Sequence, residues 1–131
     1  MNTQSKKAKG RRLQQHVVEL ILKAFPMLTS KDVRSVPASV TGSDVWLSER
    51  AAELFPFSVE CKNQERINLY QFWEQTKKNA VKEERLPLLV VKKNRKEALA
   101  VLELETLFAL IKAINSVEGS ENEEVGRINQ L

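Results

Sequence analysis

Cys61 and His16 are the only cysteine and the only histidine in the 131 residues. A lone thiol cannot build a disulfide framework within the chain, and no cysteine cluster exists to hold zinc. Long apolar runs are missing as well. The N-terminus from Met1 to Arg12 is polar and basic with no apolar stretch behind it, and the longest apolar segments fall far short of the roughly 20 residues a bilayer requires. These absences argue against secretion and membrane insertion and make a reducing, cytoplasmic location the default. No internal repeat is present. The length suits one compact domain that can bury a core without covalent staples.

The chain is rich in positive charge instead, with a formal net charge of +4, which favours a polyanionic partner without naming one. The basic residues cluster as Lys6, Lys7, Lys9, Arg11 and Arg12, then Lys77, Lys78 and Lys82, then Lys92, Lys93, Arg95 and Lys96. Taken alone, such clusters are ordinary solvated surface. They point to nucleic acid only if the fold gathers them around one groove.

Residues 1–8 read as a basic arm, residues 9–115 as the folded domain and residues 116–131 as a polar tail. Leu13, Val17, Leu20, Ile21, Ala24 and Phe25 recur at helical spacing until Pro26 stops the pattern, which predicts a first helix. Residues 32–40 predict a short, irregularly ending strand, and Thr41-Gly42-Ser43 is a turn that leads into a second strand at residues 44–47. Residues 48–54 form a connection with room for a helical turn. Residues 57–62 alternate cleanly, with Phe57, Val59 and Cys61 on one face and Ser58, Glu60 and Lys62 on the other. Asn68 is placed to cap a helix running to about Ala80, with Leu69, Phe72, Trp73, Thr76 and Ala80 on one face. Residues 86–91 predict a strand buried on both faces, residues 98–104 another strand, and residues 105–114 a last helix with Leu107, Leu110, Ile111 and Ile114 at helical spacing. The order α-β-β-β-α-β-β-α predicts an α/β fold, a mixed central sheet flanked by helices.

Hydrolysis of a phosphodiester needs a cation that neutralises the phosphate and activates water, and hard oxygen ligands on rigid elements hold Mg²⁺ best. Asp44 at a strand start and Glu60 within the next strand supply two such ligands if the strands are neighbours. Lys62 shares a face with Glu60, where an amine can orient the attacking water and offset charge building on the phosphate. An aspartate followed by Glu-x-Lys is common by chance in charged proteins. It gains weight here because the opposite face of the Glu60 strand is wholly apolar and because a Gly-Ser turn exposes Asp44.

With these residues in place, the chain resembles the PD-(D/E)XK nucleases, and among them the archaeal and phage-type Holliday-junction resolvases. The resemblance runs from about Lys9 to Leu110. It is carried by Lys9-Gly10-Arg11-Arg12-Leu13, Arg34-Ser35-Val36-Pro37-Ala38-Ser39, Gly42-Ser43-Asp44-Val45 and Val59-Glu60-Cys61-Lys62, in that order. It implies a restriction-endonuclease-like fold with the active site at a sheet edge. It also implies Mg²⁺ or Mn²⁺ held by Asp44, Glu60 and the main-chain carbonyl of Cys61, with Lys62 assisting the water. Such resolvases usually carry a glutamate on the first helix; the matching position here is Gln14, which brings no charge and makes one metal the safer expectation. Gln75 and Ser39 match supporting positions near the site in relatives, against the plainer readings of a surface glutamine and a turn former.

His16 lies about 200° around the helix from Gln14, so a surface or DNA-facing role is expected rather than a catalytic one. Trp46 and Trp73 are expected in the core, and Cys61 as a buried, inert thiol. DNA contacts are expected from Lys6, Lys7, Lys9, Arg11, Arg12, Arg34, Lys92, Lys93 and Arg95. The leading expectation is an endonuclease of branched duplex DNA, working as a homodimer because a junction has two-fold symmetry and two strands to cut. The alternatives are a general DNA-repair, restriction or phage DNA-processing nuclease, and a DNA-binding module that keeps the fold without turnover.

Overall fold

A computed structural model describes residues 3–116. In chain order the elements are α1 (Thr3–Ala24), β1 (Val33–Ser35), β2 (Val45–Leu47), α2 (Glu49–Leu54), β3 (Phe57–Asn63), α3 (Leu69–Glu83), β4 (Leu86–Lys92), β5 (Leu99–Val101) and α4 (Leu104–Asn115). The expected polar tail lies, beyond Ser116, outside the described residues. The chain divides into two compact units, the first ending at Val101 and the second beginning at Leu102.

In the first unit, β3, β4 and β5 form a mixed sheet in that order. β3 and β4 run parallel, with Val59 opposite Leu88 and Cys61 opposite Val90, and β5 pairs antiparallel with β4. Parallel neighbours need a crossover, and α3 provides it. The two faces of β3 explain the layering. Phe57, Val59 and Cys61 are buried, as are Leu13, Val17, Val18 and Ile21 of α1, which packs against this strand. The Ser58, Glu60 and Lys62 face is covered by α3. Fully buried Val59 and Leu89 mark the centre of the sheet.

β1 and β2 form a separate antiparallel hairpin, with Arg34 opposite Trp46 and Ser35 opposite Val45. It meets the edge of the larger sheet at β3, where the Asp44 N–H donates to the Val59 carbonyl at 2.8 Å. α2 begins at Ser48, whose hydroxyl accepts from the Ala51 N–H at 3.2 Å, an N-cap that satisfies one of the helix's free donors. The same hydroxyl donates to Asp32 at 2.8 Å. Asp32 also accepts from the Thr29 N–H at 3.0 Å and from Arg50 Nε at 3.2 Å, so one carboxylate ties the end of the α1 turn to the start of α2.

Four expectations are corrected. α1 begins at Thr3, so the segment expected to be an arm continues the helix from there; Gln4, Ser5, Lys6, Lys7 and Ala8 contain no residue that breaks one. β4 is not buried on both faces throughout: Leu86, at the start of the strand, is 37% exposed, and burial is complete only at Leu89, Val90 and Val91, the residues that β5 also flanks. Trp46 is 41% exposed rather than in the core. In β2 it is Val45 and Leu47 that point inward, and Trp46 lies on the outer face with the Arg34 guanidinium 4.3 Å from its ring centroid. Trp73 is half-buried rather than a core residue.

α4, in the second unit, is one helix with Leu104, Leu107, Phe108, Ile111 and Ile114 exposed.

Candidate active site

The polar row of β3 faces a matching row on α3. Phe72, Thr76, Asn79 and Glu83 are spaced by three or four residues and so share one helix face. They meet the strand in antiparallel order. Lys62 Nζ lies 4.9 Å from the Phe72 ring centroid, Asn79 Nδ2 donates to Glu60 Oε2 at 3.0 Å, and the Ser58 hydroxyl donates to Glu83 Oε1 at 2.6 Å. Glu60 is consequently 4% exposed. A carboxylate taken this far out of water must be hydrogen-bonded, matched by positive charge or protonated.

Asp44 reaches the same place from the hairpin. Gly42, at φ +107°, takes a backbone conformation that residues with a Cβ rarely adopt, and this turns the chain into β2. Ser43 is then buried and donates to Glu83 Oε2 at 2.9 Å. Asp44 Oδ2 accepts from the Cys61 N–H at 2.7 Å. In an extended strand the N–H and C=O of one residue point to the same edge. The Cys61 carbonyl therefore points to the Asp44 side of β3, away from β4.

The three side chains act on one another electrostatically. Burial raises the Asp44 carboxyl above its ordinary value, opposed by the Cys61 N–H and the Lys62 charge. Burial, and then the Asp44 charge, push Glu60 up to about 7, opposed by the Asn79 hydrogen bond and by Lys62. Burial also raises the Cys61 thiol, with the charges of Asp44 and Glu60 adding to it, so it stays protonated at neutral pH. Two buried carboxylates, one raised further by the charge of the other, with one amine nearby, suit a divalent cation. Among the described residues no group of three or more His, Cys, Asp or Glu side chains converges to hold a metal. The available donors are two carboxylates and a carbonyl, which fits a hard ion such as Mg²⁺ that keeps several waters.

Gln14 is buried, and its Oε1 accepts from the Ser35 hydroxyl at 2.5 Å. Ser35 pairs with Val45, and the Val36 N–H donates to the Asp44 carbonyl at 2.9 Å, so Gln14 fastens the hairpin beside Asp44. Ser39 is exposed in the loop after β1, and Gln75 is on the exposed side of α3; among the described hydrogen bonds neither reaches Asp44 or Glu60. Lys6 and Lys9 line a cavity of about 480 Å³ together with Lys62, Gln64 and Arg66. Lys9 also lines an adjoining cavity of about 640 Å³ with Arg12, His16, Lys92 and Arg95. Arg11 and Arg12 face a third, with Ser35 and Pro37. Lys7, Arg34 and Lys93 are exposed outside these cavities. Asn79, Ser58, Ser43 and Glu83 were not singled out from the sequence. The available signal was a polar residue at two positions of the α3 face that turns toward the strand.

A family model described as "Phage putative PDDEXK endonuclease" matches residues 5–125. No curated protein and no solved structure gives a match. Among the described residues no helix is long and apolar enough to cross a membrane.

Proposed function

The chain belongs to the phage PDDEXK endonuclease family, and from that premise we propose that it is a Mg²⁺- or Mn²⁺-dependent endodeoxyribonuclease acting on branched DNA as a homodimer. The observation that carries this reading is that Asp44 is hydrogen-bonded to β3 on either side of Glu60, through the Val59 carbonyl and the Cys61 N–H, which brings its carboxylate to the strand bearing Glu60 and Lys62. In the proposal Asp44, Glu60 and the Cys61 carbonyl hold the metal, which when bound lowers the pKa of water and polarises the scissile phosphate. Asp44 is kept in place by the Cys61 N–H, and Glu60 by Asn79. Lys62, steadied over Phe72, orients the attacking water and offsets charge developing on the phosphate. Gln14 supports the Asp44 side through Ser35 and adds no charge. Gln75 and Ser39 are proposed to contact the substrate strand once it is bound.

Support for a polyanionic substrate comes from the basic cavities that share Lys9. One includes Lys62 and the other the turn bearing Lys92 and Arg95. Phosphates laid along these cations would bring a strand past the proposed centre. Lys7, Arg11, Arg34 and Lys93 are proposed to contact flanking phosphates.

The test is nicking of a synthetic four-way junction against a linear duplex of the same sequence, with Mg²⁺ and with a chelator. The reading predicts metal-dependent cuts in the junction, faster than in the duplex, and loss of both in Asp44→Asn. Equal rates on the two DNAs would leave a general nuclease and remove the junction preference. A sedimentation measurement of the protein on the junction decides between one and two copies.

A further inference from the structure

Glu60 and Asp44 are like charges brought together by separate elements, and the backbone alone does not fix the Glu60 carboxylate. Its side chain has three rotatable bonds and a like-charged neighbour, so something must hold it toward Asp44. Asn79 donates to one oxygen only, Oε2. Among the described hydrogen bonds Oε1 receives none. A neutral amide suits this task better than a cation, because lysine or arginine in its place would compensate the carboxylate's charge and compete with a metal ion. One helical turn further along α3, Glu83 offers both its oxygens to serine hydroxyls, Oε1 to Ser58 at 2.6 Å and Oε2 to Ser43 at 2.9 Å. Ser58 is two residues before Glu60 on β3, and Ser43 immediately precedes Asp44. Both serines are buried, so these bonds form out of water, where a lost partner is costly.

We propose that Asn79 and Glu83 are positioning residues that set the separation and orientation of the Glu60 and Asp44 carboxylates, Asn79 by holding Glu60 directly and Glu83 by bracing the two chain segments that carry them. α3 is then the device that arranges the site, beyond its service as a crossover helix. This inference rests on the metal-binding reading given above. Outer partners of metal-binding carboxylates tune affinity by about 10- to 100-fold, so the effect is open to direct measurement.

The experiment is titration of the full chain with Mn²⁺, following free Mn²⁺ by electron paramagnetic resonance, with thermal melting of the same metal-free samples. Asn79→Leu, close in size but without a donor, is expected to weaken Mn²⁺ binding about 10-fold or more, the metal-free melting curve showing that the variant is still folded. Glu83→Gln, which keeps the shape but turns one acceptor into a donor, is expected to weaken binding in the same direction. Asn79→Ser substitutes for the leucine variant should that variant not fold, since its hydroxyl is too short to reach Glu60. Asp44→Asn serves as the control. If Asp44→Asn loses Mn²⁺ but Asn79→Leu, or the serine variant in its place, binds within about twofold of the parent, the positioning role is overturned and the metal site stands. If Asp44→Asn binds as well as the parent, the metal-binding reading itself is overturned.

Discussion

At the scale of single residues, burial accounts for most of the unusual chemistry. Glu60, pushed up to about 7, holds its proton more tightly when folded than when unfolded, where its ordinary value is 4.5. Its contribution to the stability of the metal-free protein is therefore fully present below pH 4.5 and is lost as pH rises through about 7. On the proposed metal-binding reading a cation has to displace that proton, so Mn²⁺ affinity should fall as pH is lowered from about 7, with release of protons on binding; calorimetry in two buffers of different ionisation enthalpy checks it. Asp32 behaves in the opposite sense. Hydrogen bonds from Thr29 and Ser48 lower its carboxyl from 3.8 to about 2, so its stabilisation is complete above pH 3.8 and lost as pH falls through about 2. Asp32→Asn should lower the melting temperature at pH 7 and flatten its acid dependence between those values. Gly42→Ala places a Cβ at φ +107°, and should destabilise the fold by about 1–2 kcal/mol in urea melts while displacing the turn that delivers Asp44.

At the scale of elements, the readable signals were local ones. The alternation of residues 57–62 located β3 and divided it correctly into an apolar face and a polar face, because that period is set by backbone geometry. Pro26 and Asn68 marked a helix stop and a helix start for the same reason. What depended on partners was less legible. Trp46 looked like a core residue because strand tryptophans usually are, yet whether it is covered depends on what packs over the β1–β2 hairpin. α2 was legible only as room for a helical turn, because the charged residues Glu49, Arg50 and Glu53 blur its pattern; its clearest mark is Ser48, which is also bound to Asp32 from another part of the chain. Ser48→Ala should cost about 1 kcal/mol through the lost cap, and more if Asp32 is left short of a donor; a double-mutant cycle with Asp32→Asn separates the two. The pairing of Asn79 with Glu60 joins residues 19 apart in sequence, and no periodicity announces which carboxylate an asparagine will meet.

At the scale of the whole molecule, the basic residues that were uninformative as a list acquire meaning by grouping. Lys9 and Asn63 both line two cavities; Lys9 donates to Asn94 at 2.6 Å while its carbonyl accepts from Asn63, the neighbour of Lys62. Arg95→Glu, in the turn between β4 and β5, should weaken binding to junction and duplex alike and make the log–log salt dependence shallower, while leaving cleavage at saturating protein unchanged; an effect on one DNA only would mean that this turn reads shape. The family is one of phage PDDEXK endonucleases, and the central proposal about this chain is that Lys62 and its two carboxylates carry out the cleavage. The most direct test is single-turnover cleavage of a four-way junction in Mg²⁺ by the parent and by Lys62→Ala, each shown to be folded and to bind Mn²⁺. The expected result is cleavage by the parent and a rate at least about 100-fold slower in the variant, with metal binding kept. Equal rates in the two proteins would contradict it.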